Sequence, residues 1–174
     1  MSIRLRILES KDCDGMMEWM HDKEAIHSFQ KNMEDKTRAD VLNFIASAKP
    51  IPLDGEDMHY AVVDETDEYL GTISLKSINL KDGNAEYAIS TRKKVWGKGV
   101  AQEATKELLN IAFKELHLEK VYLNVLADNV RAIRLYEKCG FHLEGEFRNH
   151  LYLEGQYKNL KWYAILRKEY MKNN

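Results

Sequence analysis

Residues 95–113 read VWGKGVAQEATKELLNIAF. Two glycines, Gly97 and Gly99, flank a lysine and run straight into apolar residues at Val100, Ala101, Ala104, Leu108, Ile111 and Ala112. That spacing is one face of an amphipathic helix. A helix start carries unpaired N–H groups and a partial positive charge, which Ser, Asp or Asn normally caps. Here glycines stand in that place, so the amides are left open and close approach is permitted. A strand, a glycine turn and a helix start together make a geometry that binds phosphates. The same residues read equally well as a tight strand-to-helix turn.

Working outward, "KVYLNVLA" (120–127) is a strand, and "NVRAIRLYEKCG" (129–140) is a short helix with Asn129 as N-cap and Gly140 as its stop. "FHLEGEFRNHLYLEGQYKNLKWYAIL" (141–166) closes as a hairpin around Glu154-Gly155. Upstream, "HYAVVDE", "YLGTISLKSI" and "NAEYAIS" are three strands separated by turn residues at "DETDE" and "KDGN". "IRLRIL" (3–8) opens the chain as a strand. Two helices follow it: "CDGMMEWMHD", with Met16, Met17, Trp19 and Met20 as core residues, and a second behind a Thr37/Asp40 capping box, with Val41, Leu42, Phe44 and Ile45 as its apolar positions. "KPIPLDGED" (49–57) is a loop holding both prolines. The order of elements defines an α/β (α+β) fold with a mixed, mostly antiparallel sheet flanked by helices, in one domain over 1–174.

Bulk properties agree with an enzyme-sized soluble chain. Of 174 residues, 44% are apolar and 31% charged, and the net charge is −2. That balance points to no nucleic-acid or membrane partner. No 18-residue apolar run or signal-peptide core is present, and Cys13 and Cys139 do not make a disulfide framework, so the expected location is cytoplasmic. The six histidines lack ligand spacing, so no metal is expected.

Two phosphate motifs are excluded. The P-loop needs Lys-Ser or Lys-Thr after its last glycine, where Val100 stands; the dinucleotide fingerprint needs a third glycine where Gln102 stands. Instead, "KKVWGKGVAQEA" resembles the pyrophosphate motif [Q/R]-x-x-G-x-[G/A] of the GNAT acetyltransferase superfamily, with Lys94 at the first position in place of Gln or Arg. A second motif follows: Asn129, Ala132, Leu135, Tyr136, Gly140 and Phe141 match N-x-x-A-x-x-L-Y-x-x-x-G-F. The "GEFRNHLYLEGQYKN" tail is similar to the branch holding spermidine, amino-sugar and ribosomal-protein N-terminal acetyltransferases. The resemblance covers residues 60–168; the first 55 match in layout.

The resemblance implies a GNAT-like sheet splayed between its fourth and fifth strands, 84–90 and 120–127, with acetyl-CoA as co-substrate in the cleft. Backbone groups of Ala88, Ile89 and Ser90 would meet the pantetheine arm. The segment Trp96, Gly97, Lys98, Gly99, Val100 and Ala101 would hold the pyrophosphate, with Lys94 and Lys98 adding charge. Asn129 would start the helix whose small Ala132 lets the thioester arm pass. Tyr136 falls at the family's general-acid position, and read from the residues alone is a core aromatic. Glu86 falls where several members place a carboxylate that takes the amine proton or holds the amine, and its alternating strand fits a solvated Glu equally. Asn124 stands where some relatives carry a catalytic Glu.

Other residues read as ordinary. Cys139 is a packing residue, His59 and His150 could border the acceptor pocket, and the acidic stretch from Asp54 to Glu68 reads as a solubilising loop that could also attract a cationic amine. The expected activity is acetyl transfer to a primary amine of a small molecule, a polyamine or amino sugar, by a chain compatible with a homodimer. The alternatives are N-terminal acetylation of a protein such as a ribosomal protein, or a non-catalytic acyl-CoA-binding regulatory module.

Overall fold

A computed structural model describes residues 2–26, 30, 33–50 and 54–173. Seven strands form one sheet in the order β1-β2-β3-β4-β5-β7-β6. They are β1 (Ile3–Ile7), β2 (Met58–Asp64), β3 (Tyr69–Asn79), β4 (Asn84–Thr91), β5 (Lys120–Leu126), β6 (His142–Leu153) and β7 (Gln156–Leu166). Helices α1 (Cys13–Met20), α2 (Lys23–Ile26) and α3 (Arg38–Ala46) follow β1; α4 (Val100–Asn110) follows β4; α5 (Val130–Lys138) follows β5; and α6 (Arg167–Asn173) ends the chain. All pairings are antiparallel except β4 with β5. Among the described residues no helix is long and apolar enough to cross a membrane.

Alternation along the strands produces two apolar layers. One face packs α4 and α5: Ala85 and Tyr87 of β4 and Val121, Leu123 and Val125 of β5 join Ala104, Leu108 and Phe113 in the larger core. The other face packs α1 and α3, where Met16, Trp19, Val41 and Ile45 meet Ala61, Val63 and Tyr69. Trp19 donates to the Tyr69 hydroxyl at 3.0 Å, and Tyr69 meets Thr72 at 2.7 Å, so this layer buries its polar atoms in pairs. The Thr37/Asp40 capping box forms as the sequence predicts.

Three features depart from the sequence reading. The helix begun at Val100 continues through a π-helical turn, Ile111–Glu115, which is wider than the 3.6-residue period on which the reading rests. The chain ends in α6, whose Tyr170 ring lies 5.2 Å from Phe113; its polar run "RKEYMKN" carries too few apolar residues to announce a helix. The four-residue α2 was likewise not foreseen. The hairpin turn is as read: Glu154 and Gly155 both take left-handed φ, 50° and 78°, suiting a tight two-residue connection.

The sheet's one parallel pair is short. Asn84, Ala85 and Glu86 pair with Lys120, Val121 and Tyr122, and the pairing then stops. Beyond it β4 stays with β3 as far as Thr91, and β5 stays with β7 as far as Leu126. The predicted splay between the fourth and fifth strands is therefore present, and it opens immediately after Glu86.

Gly71 keeps β3 against the far end of the splayed strand. A Cβ there would stand 2.4 Å from Ser90 O and 3.0 Å from Thr91 Cα, both backbone atoms. Gly71→Ala is expected to push β3 and β4 apart and lose about 1–3 kcal/mol. At about 2–4 °C per kcal/mol for a chain of this size, a thermal melt should fall by several degrees. An unchanged melting temperature would mean that the contact relaxes without consequence.

Candidate active site

The glycine turn forms the outer end of the opening. Gly97 and Gly99 have φ of 73° and 80°, and a Cβ on either would meet nothing within 4 Å. The left-handed backbone, rather than crowding, is what calls for glycine at these two positions. Gly99 occupies the N-cap of α4 with no side-chain cap. The first-turn amides of α4, Val100 and Ala101 among them, therefore lack a helical acceptor. Lys98 N–H differs: it bonds Val95 O at 3.3 Å within the turn.

The basic residues beside this turn are mostly engaged. Lys94 Nζ pairs with Glu68, and Lys93 pairs with Glu24. Arg92 reaches Glu18 at 2.5 Å and Glu68 at 2.8 Å. Lys98 has no such partner among the described residues. Arg131, in the first turn of α5, lies over the Trp96 ring at 3.5 Å from its centroid.

Tyr136 and Glu86 stand at the inner end of the opening. Asn129 caps α5 by accepting Ala132 N–H at 3.2 Å, which fixes the helix that carries Ala132 and Tyr136. The Tyr136 ring meets Tyr87 edge-on at 5.7 Å and Phe141 at 6.0 Å. Tyr87 is the first β4 residue past the parallel pairing, so Tyr136 sits where the strands part. Its ring is both packed, as a core aromatic would be, and placed at the cleft. Burial pushes its hydroxyl up to about 12. The hydroxyl has no hydrogen-bond partner among the described residues and can donate to a newcomer.

Glu86 is adjacent to Tyr87, so its side chain leaves the opposite face of the sheet. It is not a solvated strand residue: its side chain is 24% exposed and meets Lys76 Nζ at 3.2 Å. Asn124 Nδ2 donates to the same oxygen at 3.4 Å, while Asn124 Oδ1 accepts from Gln30 Nε2 at 2.5 Å. Tyr122, Cα partner of Glu86, stacks on Trp162 at 5.7 Å and continues this polar-aromatic wall. Burial, with Glu86 beside it, raises the Tyr122 hydroxyl.

The remaining candidates fall outside the opening or are already occupied. His59 is buried against Phe44 and bonded to Ser74 at 2.7 Å, and burial holds its ring below the usual histidine range. His150 packs on Phe147 of the hairpin. The acidic stretch closes turns and ion pairs: Asp54 accepts Leu80 N–H, Asp57 accepts Ser77 N–H, and Asp67 binds Arg4, Arg6 and Lys11. Cys139 is partly buried with its thiol pushed up by burial, as suits packing. An open depression lined by Phe147, Arg148, Asn149 and Asn159 lies on the hairpin and offers no acid or base for chemistry. Among the described residues no three His, Cys, Asp or Glu gather as metal ligands.

Sequence reasoning missed Lys76, Tyr122, Trp162, Gln30 and Arg131. The first four need the strand register, or a contact across 94 positions, to be seen beside Glu86 and Asn124. Arg131 sits inside the second motif, where only the matched positions drew notice.

A seven-stranded mixed sheet opened between β4 and β5, with an uncapped helix at its mouth, is the architecture of an acetyltransferase domain. The acetyltransferase (GNAT) domain model matches residues 2–142, and the chain belongs to this family of acetyltransferases. It is 28% identical over 172 residues, 97% of this chain and 94% of the other, to an uncharacterized N-acetyltransferase p20 of Bacillus licheniformis. It is 32% identical over 118 residues, 68% of each chain, to the spermidine N(1)-acetyltransferase of Vibrio cholerae. The crystal structure of spermidine N-acetyltransferase from Vibrio cholerae in complex with CoA and spermine superposes with a TM-score of 0.87 at 25% identity, over 97% of this chain and 98% of that one.

Because burial raises Tyr136 from 10.0 to about 12, its neutral form is favoured in the folded chain. Its contribution to stability is full below pH 10 and lost as pH rises through about 12. A spectrophotometric titration of wild type minus Tyr136→Phe should show one tyrosinate appearing only above about pH 11. An ordinary titration near pH 10 would mean that the hydroxyl is not in a dry site.

Proposed function

We propose that this chain moves an acetyl group from acetyl-CoA directly to the primary amine of a small molecule, with a polyamine as the leading acceptor class. The observation that carries the reading is the placement of Glu86 and Tyr136 on opposite faces of the sheet at the point where β4 and β5 separate. The spermidine acetyltransferase relatives support the acceptor class.

The residues fit the co-substrate. The open amides of Val100 and Ala101, with the Gly97 and Gly99 backbone and Lys98, would hold the pyrophosphate. Trp96 walls that end, and Lys94 would join only by leaving Glu68. The β4 edge at Ala88, Ile89 and Ser90, which has no strand beside it, would take the pantetheine amides as an added strand does. Asn129 orients α5 so that Ala132 leaves room beside that edge. Bound there, acetyl-CoA supplies an activated acyl group and a thiolate leaving group.

The chain's own residues then have two tasks. An alkylammonium of pKa about 10.4 is largely protonated at pH 7, and freeing its lone pair costs about 5 kcal/mol. Glu86 takes that proton directly or through water and holds the amine; Lys76 and Asn124 fix the carboxylate's position. Tyr136 serves the sulfur on the other side. A hydroxyl near 12 is a weaker acid than a free thiol near 8.5, so complete transfer in water would be uphill by about 5 kcal/mol. Tyr136 therefore acts first as a hydrogen-bond donor, and its proton moves as charge arrives in the same dry pocket.

Tyr136→Phe keeps the ring contacts and removes the donor. Single-turnover acetylation should slow at least about tenfold with acetyl-CoA affinity little changed. Full activity would make Tyr136 a packing residue. Glu86→Gln should lower kcat/KM for the amine and leave acetyl-CoA binding intact; wild-type rates across pH would remove Glu86 from the reaction.

The acceptor is tested by offering spermidine, spermine, amino sugars, amino-sugar nucleotides and N-terminal peptides, and reading products by mass spectrometry. Polyamine or amino-sugar turnover supports the small-molecule assignment. Turnover confined to peptides would assign the chain to protein N-termini, and CoA binding without any turnover would make it a regulatory module.

A further inference from the structure

Glu86, assigned above to take the proton of an amine, already holds an ammonium group. Lys76 Nζ donates to Glu86 Oε1 at 3.2 Å. Lys76 on β3 and Glu86 on β4 are Cα partners, so their side chains leave the same face of the sheet. The contact reaches the opening itself, because Asn124, on β5 across the split, donates to the same Oε1 at 3.4 Å. One carboxylate oxygen is thus shared by a lysine from one side of the gap and an amide from the other. The lysine is reachable, with 35% of its side chain exposed. The other ion-paired lysines among the described residues use carboxylates outside β4 and β5, as Lys94 does with Glu68 and Lys120 with Glu144.

We propose that Lys76 is an acceptor in its own right: when no other amine is present, the chain acetylates its own Lys76 Nζ from acetyl-CoA. The inference rests on the reading of Glu86 and Tyr136 given above. Lysine is a primary alkylamine and must lose the same proton as a polyamine nitrogen before it can attack. Glu86 takes one proton from the ammonium, and the freed lone pair adds to the thioester carbonyl. The N–C bond forms, the C–S bond breaks, and Tyr136 gives the departing sulfur a proton. The second nitrogen proton leaves to water, and water returns one to Tyr136. Net, an ammonium and a thioester give an amide, a thiol and one released proton, with no oxidant or reductant. An amine carried on the chain does not have to be captured from solution, which favours the step. The amide that results is uncharged, so the ion pair is lost and Glu86 is left with Asn124.

The test incubates the chain with acetyl-CoA and no added amine, and reads acetylation residue by residue by mass spectrometry. The exposed Lys81 and Lys106 report the uncatalysed background. Lys76 should be acetylated at least about tenfold faster than either. Tyr136→Phe and Glu86→Gln, checked for folding by thermal melt and for acetyl-CoA binding by calorimetry, should each cut the Lys76 rate about tenfold and leave Lys81 and Lys106 unchanged. Lys76→Arg keeps a cation beside Glu86 and should remove one acetyl group from the intact mass. The rate constant should not change when the protein is diluted at saturating acetyl-CoA, because acceptor and site share one chain. Acetylation of Lys76 no faster than background, or at the wild-type rate in both variants, overturns the inference and leaves Lys76 as an ion-pair partner of Glu86. A rate constant that falls on dilution also overturns it, by assigning the transfer to a second copy. Parallel reactions with spermidine, amino sugars and N-terminal peptides separate this inference from the reading on which it rests. Turnover of any of these, with Lys76 unmodified in their absence, sinks self-acetylation alone. If protein that binds acetyl-CoA acetylates none of them and not Lys76, both fall.

Discussion

The parallel contact between β4 and β5 lasts three residues, and the rest of the site depends on its stopping there. Each strand keeps one antiparallel partner beyond that point, so neither is loose. What each loses is the ladder on one side. Backbone N–H and C=O groups left without partners away from water cost about 1–3 kcal/mol each, so such an edge must be wetted or joined by another extended chain. A ligand with amides along its length is matched to that edge. The split also sets how neighbouring side chains are disposed. Glu86 is the last paired residue and Tyr87 the first unpaired one, so consecutive side chains leave opposite faces at the opening.

Much of this was legible in the sequence. The strand and helix order, the hairpin turn at Glu154-Gly155 and both caps at Thr37 and Asn129 follow from local chemistry and appear in the structure. The glycine pair was legible for the right element and an incomplete reason: open space surrounds both, and backbone φ is the requirement. The π-helical turn and α6 were not legible, because helical periodicity assumes 3.6 residues per turn and α6 is held by a tertiary contact to Phe113. The surroundings of Glu86 were hidden for a different reason. Lys76 and Asn124 are ordinary strand residues until register places them beside it, and a one-residue slip would send them to the other face.

Charge around the site follows one rule on each side. Along the approach to the turn, carboxylates from α1, α2 and the β2–β3 connection occupy the basic residues. The two lysine pairs are exposed and individually weak, of the order of 0–1 kcal/mol, whereas Arg92 is mostly buried between Glu18 and Glu68. Lys98, on the turn itself, has no carboxylate partner among the described residues, and Arg131 lies over the Trp96 ring.

The two faces of the split differ in polarity. Tyr136 stands among Tyr87 and Phe141, where desolvation holds a phenol neutral. Glu86 stands among polar groups instead, with Lys76 and Asn124 on its carboxylate and Gln30 behind Asn124. A fold with one continuous sheet could supply both environments but would keep them apart by its own backbone. Opening the sheet at a single residue brings both environments to one gap.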